Sequence, residues 1–463
     1  MAGVSSPIYL TDDIRRIERE AGDVKPPLME RAGAAAAELA ARLASDKQKD
    51  ILVLAGPGNN GGDAKIVAAR LKELFFRVTL VDKAQLPDDK PWALVVDGLF
   101  GIGLARDLEG DYARLVDYVN RQRCPVLALD IASGVHSDSG RIMGRAVRAT
   151  HTITFIGLKP GLLTLDGPDC SGEVLVADLG LPAHKANAWI AAPQLFHNVL
   201  KARPRNFHKG MAGSLGILGG ATGMSGAALL AGRAALKLGA GRVYVGLLDD
   251  ALAVDPGAPE LMLRHADDAL GQDLNALVVG PGLGQSERAE TLVGAALASD
   301  LSCVLDADAL NLISASEDLR HACARRKAET IITPHPAEAA RLLAESTATV
   351  QADRVKAARA LCENLNVHVV LKGNGSILAA RDGHWFINTT GNPGMASAGM
   401  GDVLAGMLGA LLAQGFTGES ALVLGTHLHG AAGDELAKNN TGPVGMTASE
   451  LTDAARRLWN QWL

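Results

Sequence analysis

The sequence predicts an α/β protein with two parallel-sheet units in tandem. Short apolar runs of strand length alternate with amphipathic stretches of helix length, the pattern of strands joined by crossover helices. Glycine is abundant, 52 of 463 residues, and has no collagen period, which suits many tight turns between strands and helices. The chain is long enough for two or three domains at about 100–200 residues each. A stretch without strand periodicity, 183–205, separates two series of strands and ends in the basic cluster Lys201-Ala202-Arg203-Pro204-Arg205. The expected division is therefore 1–205 and 206–463, each half able to bury its own core.

In the first series, residues 11–44 read as helices ending in an Ala-rich tract. Ile51–Ala55 is the first strand, followed by a glycine loop and a helix from about Asp63 to Leu74. Strands follow at Phe76–Val81, Ala93–Asp97, Val126–Asp130, His151–Phe155 and Glu173–Ala177, with a helix at about Tyr112–Asn120. In the second series, strands are expected at Leu215–Leu218, Arg242–Gly246, Ala276–Gly280, Leu301–Asp306, Thr330–Thr333 and Val367–Leu371. Helices are expected at about Ser225–Leu238, Glu287–Ala298 and Ala337–Ala344. The end is helical, at Asp402–Gln414, Glu419–Lys438 and Ala448–Leu463.

Composition excludes several classes. Hydrophobic residues at 48% and charged residues at 21% exclude a largely disordered chain. Lys plus Arg is 45 against 51 Asp plus Glu, a net charge of −6, so there is no basic bias toward nucleic acid or anionic lipid. Cys124, Cys170, Cys303, Cys323 and Cys362 are odd in number, dispersed and without C-x-x-C, which reads as reduced thiols of a cytoplasmic protein. The first residues lack a basic segment and an apolar core, so no signal peptide is expected. The uncharged stretch Gly210–Gly232 holds eight glycines and suits folded turns rather than a membrane span.

The loop Ala55-Gly56-Pro57-Gly58-Asn59-Asn60-Gly61-Gly62-Asp63 follows a strand and opens a helix, where free N–H groups can hold an anion. It matches G-x-G-x-x-G, and Asp82 ends the next strand as in a dinucleotide fingerprint. A tight turn without ligand produces the same pattern. The dense run of amides and a carboxylate is a set of hard ligands that suits a small cation. Asp97 and Asp130 end two further strands, and the carboxyl ends of parallel strands open on one crevice. One such Asp alone is more simply a turn former or helix cap, whereas three beside the glycine loop point to a site.

GPGNNGGD, DGLFGIGL, LDIASGVHSDSG and TFIGLKPGLLT together resemble the NAD(P)H-hydrate epimerase family over about residues 8–182. The resemblance implies a Rossmann-like three-layer sandwich that interconverts the R and S epimers of hydrated NAD(P)H with a bound potassium ion. Carried over by position, Asn59, Asn60, Gly61, Gly62 and Asp63 contact substrate, as do Gly101, Ile102, Gly103, Leu104, Ala105, Arg106 and Asp107. Asn60, Asp97 and Ser133 hold potassium, and Asp130 binds substrate as the acid/base group near C6. Two positions depart from the family: Ala64 replaces a usual Gly, and Ala132 a usual Pro, a change that loosens the loop by ~0.4–1 kcal/mol of chain entropy.

In the second half, Gly391-Asn392-Pro393-Gly394-Met395-Ala396-Ser397-Ala398-Gly399-Met400-Gly401-Asp402 precedes an apolar helix rich in small residues. Consecutive N–H groups there can surround a phosphate. Asp402 alone is simply an acidic partner of the helix N-terminus. The Gly-x-Gly-Asp shape instead resembles the ribokinase-like superfamily, whose Asp deprotonates the hydroxyl that accepts a phosphoryl group. With Asn206–Gly210, Gly219–Ala227, Gly280–Gly284, Leu305–Leu310, Thr333–Glu338 and Lys372–Ser376, the segment resembles the ADP-dependent NAD(P)H-hydrate dehydratase family over about 206–463. Each of these tracts alone has a loop-forming explanation, and His335 alone a structural one.

This second resemblance implies that Lys372, Gly373, Asn374, Gly375, Ser376 and Gly401 contact ADP or ATP with Mg²⁺. Gly282, Gly284, His335 and Asp402 lie by the hydrated nicotinamide, with Asp402 as base. Ala337 replaces a common Gly, and Met400 a common Thr or Ser, losing one hydrogen bond worth about 1 kcal/mol. Together the resemblances imply one repair enzyme, forming a homo-oligomer. The alternatives are a small-molecule kinase with a non-catalytic, nucleotide-binding first domain, and a simple dehydrogenase resting on the glycine loop and Asp82.

Overall fold

The computed structural model describes residues 6–46, 48–248, 252–438 and 442–463. It divides into two compact units, one of Ser6–Trp189 and one beginning at Ile190.

The first unit is built on six strands: β1 (Asp50–Ala55), β2 (Val78–Val81), β3 (Trp92–Gly98), β4 (Val126–Leu129), β5 (His151–Phe155) and β6 (Glu173–Ala177). They form a wholly parallel sheet in the order β2-β1-β3-β4-β5-β6. β3 and β4 are buried throughout, which is why they read as unbroken apolar runs rather than alternating ones. The helices Thr11–Ala21 and Leu28–Leu43 precede the sheet. Ala32, Ala36, Ala37 and Ala40 of the second are buried against Ile51, Val53, Val67 and Leu71, so the Ala-rich stripe faces this unit's own core.

Register aligns the strand ends. Leu54 pairs with Asp97, Asp97 with Ala128, and Leu129 with Ile153. The helix after β1 runs Asn59–Glu73, four residues earlier than the periodicity predicts, so the Asn-Asn-Gly-Gly-Asp run is its first turn. Gly61 is required there, since a Cβ would lie 1.9 Å from Gly56 O. Ala64 fits: it is fully buried inside the helix, facing Gly98.

A short strand, β7 (Ala188–Ile190), spans the division. The second unit continues with β8 (Ser214–Gly219), β9 (Arg242–Leu247), β10 (Met262–His265), β11 (Ala276–Val279), β12 (Ser302–Leu305) and β13 (Thr330–Ile332). It ends with β14 (His368–Leu371), β15 (Ser376–Ala379) and β16 (Trp385–Asn388). The order is β10-β9-β8-β11-β12-β13-β14-β15-β16, parallel up to β14 and antiparallel beyond it. The helix Met400–Ala413 is buried along nearly its whole length and packs on the helix Ser225–Lys237 and on β11 and β12. Gly406 permits that contact, because a Cβ would stand 2.1 Å from Ala231 O.

The expected division at 205 shifts to 189/190. Residues 190–205 pack with the second unit: Ala191 N donates to Ile387 O at 2.9 Å. The His427 ring bonds Ala191 O at 2.8 Å, and Phe196 packs in tilted contact against the rings of His427 and Trp462. Arg203 donates to Gly239 O and to Gln414 Oε1, both at 2.7 Å. A stretch with no strand periodicity still belongs to a core when its apolar residues find partners far along the chain.

Candidate active sites

At the carboxyl end of the first sheet lies a cavity of about 520 Å³. Its lining includes Asn59, Asn60, Asp63, Gly101, Ile102, Gly103, Leu104 and Asp130. Gly61 and Gly62 are not part of that lining: Gly61 abuts Gly56, and Gly62 faces the Met29 thioether. Ala105, Arg106 and Asp107 also lie outside it, with Asp107 paired to Arg141 at 3.7 Å.

Asp130 follows β4 with φ of +66°, a left-handed conformation that Asp tolerates better than most residues. Its Oδ1 accepts from Phe155 N at 3.2 Å, from Thr154 Oγ1 at 3.4 Å, and from the Lys159 ammonium at very short range. Lys159 is wholly buried and also donates to Thr154 Oγ1 (2.7 Å) and Phe155 O (2.8 Å). Asp63 is pushed up to about 7, first by burial and then by the nearby carboxylates of Asp130 and Glu18. Burial also raises Glu18, against the pull of Lys159, Arg15 and Arg19.

Asp97 is fully buried. Its carboxylate accepts from Ser133 N (2.8 Å), Ser133 Oγ (2.6 Å) and Leu99 N (3.3 Å). Burial pushes its carboxyl up. Among the described residues no cation pairs with it. Both side-chain polar atoms of Asn60 are buried without a hydrogen-bond partner, beside Gly101. An orphaned amide oxygen, a serine hydroxyl and an uncompensated carboxylate fit a hard monovalent cation. Ala132, where a Pro was expected, is fully buried next to Ser133.

In the second unit, Val279 pairs with Leu305 and Leu305 with Ile332, so Gly280, Asp306 and Thr333 end their strands side by side. Lys372, after β14, donates to Asp306 Oδ1 at 2.9 Å. A Cβ on Gly401 would stand 3.3 Å from Lys372 Nζ and 3.6 Å from Asp306 Oδ2, so the start of the helix Met400–Ala413 faces this pair. Asp402 is pushed up to about 6 by burial and by Asp306, against the attraction of Lys372. Burial alone would lower Lys372, but Asp306, Glu338 and Asp402 more than offset it and its pKa lies above the ordinary value.

His335 caps the helix Pro336–Leu343: its Nδ1 accepts from Ala337 N at 3.1 Å, and Glu338 Oε2 accepts from His335 N at 2.8 Å. Burial and then Lys372 depress the His335 pKa, favouring the neutral ring. Gly284 N donates to Asp308 Oδ2 at 2.8 Å, and Ala221 N to Gly282 O at 2.7 Å, tying three loops into one wall. The Lys372–Ser376 turn rests on Arg354, a buried guanidinium that donates to Asn374 O at 2.5 Å and to Leu371 O at 3.2 Å. Gly373 and Gly375 both have positive φ, as this turn requires. Met400 is buried, and its carbonyl accepts from His429 Nε2 at 2.9 Å. Burial pushes His429 down to about 4.

Sequence reasoning passed over Lys159, Glu18, Arg354 and His429. Lys159 stands in the Thr154–Thr164 tract that carried the resemblance, so a signal existed. Arg354 lies in a helix, Arg354–Leu365, with no motif around it. Asp306 and Asp308 stand out as strand-end residues in sequence, and their partners emerge only in three dimensions.

The first unit is thus a Rossmann-like sandwich with an acidic, cation-compatible pocket, and the second a ribokinase-like domain with an Asp in the first turn of a buried helix. The NAD(P)H-hydrate dehydratase family model matches residues 215–457, and the model described as YjeF-related protein N-terminus matches 25–90 and 80–161. The bifunctional NAD(P)H-hydrate repair enzyme of Escherichia coli is 38% identical over 98% of this chain and 94% of its own. The ADP-dependent (S)-NAD(P)H-hydrate dehydratase of Neisseria meningitidis is 46% identical, covering 58% of this chain and 91% of its own. The crystal structure of the Bacillus subtilis ADP/ATP-dependent NAD(P)H-hydrate dehydratase, co-crystallised with ATP/Mg²⁺, is 29% identical with a TM-score of 0.53, covering 59% of this chain and 98% of that one. The chain belongs to the family of bifunctional NAD(P)H-hydrate repair enzymes. Among the described residues, no helix is long and apolar enough to cross a membrane.

Proposed function

We propose that the first unit equilibrates the R and S epimers of hydrated NAD(P)H and that the second dehydrates the S epimer at the expense of ADP or ATP. The observation that carries this is the match along nearly the whole chain to relatives named for both activities, together with an acid-lined cavity in the first unit and a largely buried carboxyl, Asp402, pushed up to about 6 beside Asp306 and Lys372 in the second.

Epimerisation at C6 requires the hydroxyl to leave and return on the other face. The C6–O bond breaks as the oxygen gains a proton and departs as water, with the N1 lone pair stabilising C6. Water then adds from the opposite side and gives up a proton. Asp130 moves that proton, with Asp63 as the second carboxyl on the cavity wall. Asn60, Asp97 and Ser133 hold potassium, which supplies a fixed positive charge beside the substrate. Asn59 and the Gly101–Leu104 stretch bind the coenzyme, and the remaining assigned positions, Gly61, Gly62, Ala105, Arg106 and Asp107, flank that stretch of the chain outside the cavity lining.

For dehydration, Asp402 takes the proton of the C6 hydroxyl while the oxygen attacks the nucleotide's terminal phosphoryl group, whose bridging P–O bond breaks to release AMP from ADP or ADP from ATP. Phosphate is a far better leaving group than hydroxide. It departs with the C–O electron pair, pushed by N1, and loss of a C5 proton restores the double bond of NAD(P)H. Lys372, Gly373, Asn374, Gly375, Ser376 and Gly401 hold the nucleotide, and Gly282, Gly284 and His335 the nicotinamide side. Magnesium, when bound, neutralises phosphate charge. The enzyme is a cytoplasmic homo-oligomer in this reading.

The test is absorbance at the reduced-nicotinamide band with hydrated NADH. Full recovery of both epimers should require ADP or ATP, Mg²⁺ and K⁺. Recovery of only the S epimer would remove the first activity. Accumulation of a stable phosphorylated product would favour a kinase instead.

A further inference from the structure

Lys159 is buried in the wall of the epimerase cavity, and each of its three acceptors lies within 130–155. Every hydrogen bond to Asp130 in this environment reaches Oδ1, and among the described residues none reaches Oδ2. A buried ion pair whose only task is packing satisfies both carboxylate oxygens, because a bare one is costly. Here one oxygen is clamped and the residue's remaining exposure is to the cavity.

The charges around it are unbalanced. Glu18, from the helix Thr11–Ala21, and Asp63, from the helix Asn59–Glu73, both interact with Asp130. Arg15 and Arg19, on the same helix as Glu18, offset Glu18. Lys159 is the cation that touches Asp130 itself. The backbone holds it in place: Ile156 has φ of +69°, Gly157 N donates to Phe155 O at 2.7 Å, and a Cβ on Gly157 would stand 2.5 Å from the Tyr9 ring. That sharp turn after β5 returns the chain so that the ammonium meets the end of β4.

We propose that Lys159 is a positioning residue for epimerisation, clamping one oxygen of Asp130 so that the other is aimed at the C6 hydroxyl of hydrated NAD(P)H. This rests on the assignment of Asp130 above. The ammonium exchanges no proton with substrate and acts only through the carboxylate. Small displacements of a reacting group cost about 100-fold in rate, which sets the expected scale.

The test is a double-mutant cycle in the full-length protein, read as epimerase kcat and KM, with dehydration of the S epimer measured in parallel. Asp130→Asn should lower kcat by about 10²–10⁴-fold. Lys159→Met should lower kcat by about 100-fold with KM changed less than about threefold. In the Asp130→Asn background, Lys159→Met should add no further loss. Lys159→Arg, which keeps the charge, should restore much of the rate. If the two losses multiply, or if Lys159→Met leaves kcat unchanged while Asp130→Asn is inactive, the positioning role is overturned. A fully active Asp130→Asn would instead overturn the parent assignment. Should Lys159→Met not fold, Lys159→Arg and Thr154→Val carry the same cycle: each should lower kcat several-fold in the wild-type background and have no effect in Asp130→Asn.

Discussion

Asp402→Asn should destroy dehydration and stabilise the protein at the same time. The side chain is exchanged for a neutral isostere at the start of the helix Met400–Ala413. Burial and Asp306 move its carboxyl from 3.8 to about 6. At about 1.36 kcal/mol per pKa unit, that is roughly 3 kcal/mol. The sign follows from the direction. The folded state prefers the protonated form, so the penalty is absent below the unfolded value, grows as pH rises toward 6, and is complete above it. Asn never ionises and escapes the penalty at every pH. Thermal melts at pH 8 should therefore show the second unit's midpoint raised by about 6–12 °C, the difference shrinking toward zero near pH 4. Dehydration should fall by about 10²–10⁴-fold for loss of a general base, with epimerisation unchanged. Retained dehydration would refute the catalytic assignment. Equal stability of the two proteins at pH 8 would refute the electrostatic one.

Other predictions follow from the same geometry. Lys372→Met leaves Asp306 buried and unpaired, so it should cost about 3 kcal/mol in urea melts and move the acid limb of dehydration to higher pH, because Asp402 loses its nearest attraction. Wild-type behaviour in both measurements would remove Lys372 from the site. Asn60→Ala should abolish any stimulation of epimerisation by K⁺ over Na⁺ while leaving dehydration intact, and persistent K⁺ stimulation would place the ion elsewhere. Arg354→Ala should raise the KM for ADP at least tenfold with little change in kcat, since Arg354 braces the turn proposed to hold the nucleotide; an unchanged KM would separate that turn from nucleotide binding.

The parallel sheets were legible because their strands are buried on both faces, so β3, β4, β11 and β12 stand out as continuous apolar runs. Boundaries were legible to within a few residues, except where glycines extend a helix, as at Asn59–Asp63. The antiparallel strand β16 was passed over, since nothing in the sequence marked Trp385–Asn388. Helices such as Arg354–Leu365 lie between motifs and were passed over. At the candidate sites, Asp130 and Asp402 stand in motifs that single them out. Lys159, Glu18 and Arg354 could not be assigned, because their meaning lies in partners distant in the chain, such as Asp130 for Lys159 and Asn374 for Arg354. Local spacing reports a turn, and only packing reports what that turn leans on.

The attachment of residues 190–205 to the second unit bears on how the two activities can be separated by dissection. A fragment ending at 205 would carry a tail whose Phe196 and Arg203 have lost their counterparts, inviting proteolysis and self-association. A fragment starting at 206 would bare His427 and the outer edge of β16, an open strand ready to recruit neighbours. Scission between Trp189 and Ile190 keeps Phe196 and Arg203 with their counterparts but divides β7.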